Sequence, residues 1–158
     1  MSIAVGLLLE QTLWAGVAAL GFAVLFNVPV RTLLACALSG AIAYAVRTIL
    51  VETNLLTVEA ATLLAATAVS FLGVIFGRRW RVPALIFVVP GVIPLVPGAL
   101  AFRTMIDILM LTANPVNVSD TLLAAVAVNS IKTLLIVGAL AGGVAVPSLL
   151  LRRHRPMT

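Results

Sequence analysis

The sequence predicts an all-α, polytopic integral membrane protein with about five transmembrane segments, the fourth of them broken. Three observations carry this. Of 158 residues, 63% are hydrophobic and 9% charged, against about 45–50% and about 25% in a soluble domain. A core of this size cannot hide the excess, so lipid must take it. The mean hydropathy of +1.24 is spread over five apolar runs, and turn-forming or charged clusters separate them. One transmembrane domain over residues 1–158, with a basic tail at 152–158, is the expected organisation.

The runs follow in order. The first covers residues 2–26 and ends at Asn27-Val28-Pro29. It lacks a basic start and carries Glu10, so a retained helix is expected rather than a cleaved signal. The second covers 30–51 and closes at Glu52-Thr53-Asn54. The third covers 55–77 and stops at Arg78-Arg79-Trp80-Arg81. The fourth covers 83–112, and Asn114-Pro115-Val116-Asn117 follows it. The fifth starts near Asp120, a suitable N-cap, and runs to 151. Each is long enough for a hydrocarbon layer of about 30 Å; the fifth is longer than needed and should tilt, or bend near Pro147.

The net charge of +5 reads as topology rather than nucleic-acid binding, because the cations flank apolar runs and no aromatic-interleaved basic face exists. Arg31, the group Arg78, Arg79, Arg81 and the tail Arg152, Arg153, Arg155 fall on one side only if the crossings are odd in number. Glu52, Glu59 and Asp120 then fall on the other. Positive-inside places the N-terminus outside and the C-terminus in the cytoplasm.

The fourth run holds the unusual chemistry. Residues 89–105 read VPGVIPLVPGALAFRTM. Proline removes an amide and clashes with the carbonyl four residues back, so Pro90, Pro94 and Pro97, with Gly91 and Gly98, predict a short helix at 83–89, a non-helical crossing, and a second helix from Gly98 or Ala99 to Thr112. Unpaired backbone at membrane depth survives only against protein or a wet cavity. The start of the second half-helix, with free amides near Gly98 and about half a positive charge, is a seat for an anion; transporters use such breaks to hold carboxylates.

Charges inside the runs sharpen this. Arg103 and Asp107 are four apart and can pair along one face. Lys132 lies about 18 Å along the fifth helix from Asp120, which puts it near mid-membrane, with Asn129 and Thr133 on its face. A charge there costs about 2.5–3.5 kcal/mol, so Lys132 should face protein or water. Arg47 sits near the outer end of the second helix, where it could also snorkel to the interface. Gly73/Gly77 and Gly138/Gly142 offer small packing faces, and Cys36, the sole cysteine, is expected to be a small packing residue. No catalytic constellation, metal cluster or phosphate loop is present in the sequence, so neither enzyme activity nor a cofactor is expected.

Residues 21–31, GFAVLFNVPVR, and 92–98, VIPLVPG, together with Asn129, the run IVGAL at 136–140 and the basic tail near Arg155-Pro156, resemble the threonine/serine exporter family, specifically the small, YjjB-like component of its two-component members. The resemblance implies export of a small carboxylate such as succinate, or of threonine or serine, across a bacterial inner membrane. It also implies a larger YjjP-like membrane subunit as partner. The family features fall here on Pro94, Pro97, Gly98, Arg47 and Asn129. Arg103 and Lys132 stand where the family pattern has small or hydroxyl residues, so their roles rest on the charge argument. With no nucleotide-binding element, an ion gradient would supply the energy. The competing readings are a non-transporting assembly or anchor subunit and a homo-oligomeric channel.

Overall fold

A computed structural model describes residues 2–113 and 120–152; the predicted turn at 114–117 and the tail's arginine side chains lie outside the described residues. Every element among them is helical: α1 (Ser2–Leu25), a 3-10 turn (Val30–Thr32), α2 (Leu33–Glu52), α3 (Val58–Trp80), α4 (Leu85–Val92), a second 3-10 turn (Ile93–Leu95), α5 (Gly98–Ala113) and α6 (Asp120–Arg152). Four helices are long and apolar enough to cross a membrane, or five if α4 and α5, bent by 55° at their junction, count as one span. The all-α, polytopic reading stands.

The ends of the helices follow local chemistry. Asn27 and Asn54 take left-handed backbone (φ 55° and 52°) at the two predicted turns, where a short amide side chain tolerates it. The third helix differs from expectation: it begins at Val58, where the Thr57 hydroxyl accepts from the Ala60 amide. It then runs through Arg78 and Arg79 to Trp80, and Arg81 caps it with φ 55°. Arginines in a last turn oppose the helix dipole favourably, so the basic cluster prolongs the helix instead of stopping it.

Small residues bring α1, α2, α3 and α4 together. A Cβ at Gly40 would collide with Ala19 of α1, and one at Gly73 would collide with Val88 of α4. At Gly91 it would lie 2.8 Å from Ser39 of α2. Such approaches let dispersion act over long stretches of backbone, which is what drives helix association in lipid. Ala43, Ala65, Ala66, Val69, Leu95 and Leu140 form one buried cluster. Cys36, Ala23, Ala35 and Phe87 form a second, so Cys36 is the packing residue expected of it. Phe76, Trp80 and Phe87 close that end with ring centroids 5.5–5.7 Å apart. Buried hydroxyls turn back one helical turn: Ser39 to Ala35, Thr62 to Val58 and Ser70 to Ala66.

α6 attaches to this bundle through α3, and α5 packs along α6. The glycine in contact is Gly143, where a Cβ would lie 2.7 Å from both the Ala66 Cβ and the Leu63 oxygen. Gly138 and Gly142 have nothing within 4 Å, so the predicted second small face is not the one used. α3 and α6 run parallel: Ile136 and Val58 line one cavity, and one face of seven residues further on brings Gly143 to Leu63, Ala66 and Thr67. The part of α6 before Ile136 therefore runs past the level at which α3 begins.

Candidate functional site

The break is narrower than the sequence suggests. Pro90 is buried inside α4, and the 3-10 turn Ile93–Leu95 carries the first half-helix through Pro94. Only Val96 (φ −63°, ψ 129°) and Pro97 separate it from α5. Hydrogen-bond accounting explains why the chain bends here. In a continuous α-helix the Ile93 carbonyl would accept from residue 97, but Pro97 has no amide. Ile93 accepts from the Val96 amide instead (3.0 Å), which tightens the turn, and the Val96 carbonyl accepts from Gly98 (2.8 Å). The Pro97 carbonyl then accepts from Ala101 at 2.9 Å and α5 begins.

Two consequences follow. The Gly98 amide is occupied, contrary to the expectation that it would be free. At the start of α5 the amides without a backbone acceptor among the described residues are those of Ala99 and Leu100, whose acceptors in a continuous helix would have been the Leu95 and Val96 carbonyls. Val96 has been taken by Gly98. Leu95 has been taken by a side chain: Arg47 of α2 donates from Nη1 to the Leu95 oxygen at 2.9 Å.

Arg47 thus turns inward to the break rather than outward to the interface. Its guanidinium carbon stands 5.3 Å from the centre of the Tyr44 ring, a cation–π geometry. Tyr44 is fixed in turn by donating from Oη to Gln11 Oε1 of α1 at 2.9 Å. Arginine presents five donors in a rigid fork; the bond to Leu95 uses one, and the side chain lines a cavity of about 420 Å³. Its walls are Thr48 and Val51 of α2, Val58 of α3, Val96 and Pro97 of the break, Gly98 to Leu100 of α5 and Ile136 of α6. A cation and the open first turn of a helix face one space. Both favour a negative charge.

The remaining predicted residues arrange themselves around this space. Pro97, Gly98 and Arg47 line it, while Pro94, half-buried, shapes the turn behind it. Arg103 lies one turn along α5 from Ala99 and Leu100, and Asp107 one turn further on the same side. Lys132 and Asn129 lie four and seven residues before Ile136, on its face of α6. By helical position Arg103, Asp107, Lys132 and Asn129 fall in a lane beside the cavity, and none of the four lines it. Arg103 and Lys132 are exposed, Asp107 and Asn129 half-buried. No ion pair joins Arg103 to Asp107 among the described residues, so that predicted pairing is not made. Lys132 lies about 6 Å before Ile136 by helical rise, near the middle of the apolar stretch Asp120–Pro147. Asn129 contributes its carbonyl to the Thr133 hydroxyl at 2.8 Å.

Sequence reasoning missed Tyr44, Thr48 and the Leu95 carbonyl. Tyr44, Arg47, Thr48 and Val51 are spaced three to four apart, one face of α2, and that polar stripe in an apolar helix was the available signal. Among the described residues no cluster of histidine, cysteine or carboxylate could hold a metal ion.

Residues 11–150 match the family model described as threonine/serine exporter, ThrE. An uncharacterized protein of Haemophilus influenzae is 35% identical over 150 residues, which is 95% of this chain and 50% of that relative. The chain thus spans about half the length of the curated relative it matches. No solved structure matches. A multi-pass helical chain matched over nearly its whole length belongs to the threonine/serine exporter family.

Proposed function

We propose that this chain is the membrane subunit of a secondary exporter for small carboxylates such as succinate, or for threonine or serine, and that it works with a larger YjjP-like membrane subunit. The observation that carries the reading is the shared cavity: the Arg47 fork and the open amides of Ala99 and Leu100 face one space of about 420 Å³, large enough for a four-carbon acid. A carboxylate there accepts from both. Arg103 and Lys132 along the lane raise the local concentration of anions before they reach it, and Asp107 sets an acidic limit that an amino group could use. The family is one of exporters, and cation placement supports an N-terminus outside and a C-terminus in the cytoplasm of a bacterial inner membrane.

The test is efflux of labelled succinate and labelled threonine from cells expressing the chain with and without the larger subunit. Arg47→Ala should lower efflux at least tenfold at equal membrane levels. Efflux unchanged by Arg47→Ala and Pro97→Ala would instead make the chain an assembly subunit. Efflux undiminished without the larger subunit would favour a homo-oligomeric channel.

A further inference from the structure

The α5–α6 hairpin has two unlike flanks. Arg103 and Lys132 share one, on the side of the Arg47 cavity. The other is a groove of about 440 Å³ lined by Ala101, Thr104, Met105, Ile108 and Leu109 of α5 and by Ser130, Thr133 and Leu134 of α6. Its hydroxyls offer little to water: Thr104 returns to the Leu100 carbonyl and Thr133 to that of Asn129, both at 2.8 Å. Met105, Leu109 and Leu134 are 63%, 58% and 72% exposed. Among the described residues no other helix covers the groove, because α5 packs against α6 and barely touches α1, α2 or α3.

Two observations select the occupant. Ala101 and Ser130 are small, so another helix axis can come close, and close approach is what binds helices in lipid. The Haemophilus relative is twice as long as the matched region, this chain spanning 50% of it, so in that protein a further portion of comparable size accompanies this domain. We infer that the groove seats an apolar membrane helix from the portion of the exporter corresponding to that other half, whether it is continuous with this chain or a separate subunit. The inference rests on the exporter reading above and names the surface at which its two portions meet. The seat is placed so that movement of the second portion against the hairpin would move α5, and with it the amides of Ala99 and Leu100.

The test is photo-crosslinking in native membranes that contain both portions. Benzoylphenylalanine is placed at Met105, Leu109 and Leu134, with Leu13 of α1 as control, and adducts are mapped by mass spectrometry. The expected result is crosslinks from the three groove positions, and not from Leu13, into one apolar helix of the second portion. Ala101→Trp, which fills the groove floor, should reduce those crosslinks at least tenfold while the chain remains in the membrane. Crosslinks to a second copy of this chain, or no protein crosslink from Met105 and Leu134 in membranes that export substrate, would overturn the inference. Efflux assayed on the same membranes separates the two readings: groove crosslinks together with wild-type efflux in Arg47→Ala would keep the docking surface and remove the carboxylate seat.

Discussion

Arg47 donates from Nη1 to the main-chain oxygen of Leu95 at 2.9 Å, in the place that the amide of Ala99 would hold in an unbroken helix. One side chain therefore does two things. It satisfies a carbonyl that would otherwise cost about 1–3 kcal/mol, and it places a cation beside the Ala99 amide, which the extended backbone at Val96 has turned away from the helix. The break is stable because its orphaned acceptor has a charged donor, and the cavity exists because the displaced amides face it.

Removing that donor should act on structure as well as on function. Arg47→Ala is expected to destabilise the bundle by about 1.5–3 kcal/mol, the usual range for a hydrogen bond to a charged group, measured by thermal unfolding in detergent. Arg47→Lys retains a charge but not the fork, and should recover stability better than efflux.

Tyr44 separates the ring from the hydroxyl. Tyr44→Phe loses the bond to Gln11 and keeps the face beneath Arg47, so efflux should fall less than threefold. Tyr44→Ala loses both, and by the cation–π range of about 0.5–2 kcal/mol the Arg47 geometry loosens. Efflux of the two variants at matched membrane levels checks the order.

The glycines divide cleanly. Gly143→Leu forces a side chain into Leu63, Ala66 and Thr67 of α3 and should cost about 1–3 kcal/mol as overpacking. Gly138→Ala and Gly142→Ala meet nothing within 4 Å and should be neutral, or stabilising by up to about 1 kcal/mol through helix propensity. Melting temperatures of the three variants decide it.

Much of the fold was legible in the sequence because each lipid-spanning helix must satisfy its own backbone, which makes length and hydropathy sufficient to find it. Turns at Asn27 and Asn54 were legible for the same local reason. The register of α6 on α3 was not, since Gly138, Gly142 and Gly143 are equivalent in composition and only packing selects Gly143. The site was half legible. Pro97 and Gly98 announced a break, but which amides stay open depended on Arg47 reaching Leu95 across 48 residues, and no local pattern encodes that contact.

Lys132 and Arg103 are exposed at the lane, so their influence should be long-ranged and screened. Lys132→Ala is expected to raise the KM for succinate several-fold at low salt. The difference should shrink as ionic strength rises above about 0.15 M, where the screening length is about 8 Å. A zwitterion such as threonine should respond less. Reconstituted vesicles assayed at two salt concentrations measure both.

The carboxylate seat is tested most directly by solid-state NMR on the reconstituted exporter, with guanidino-15N arginine in the protein and 13C-carboxylate succinate bound to it. A through-space contact between the carboxylate carbon and an arginine side chain is predicted, present in the native chain and lost in Arg47→Lys. Bound succinate whose arginine contact survives Arg47→Lys, or that touches no arginine, would contradict it.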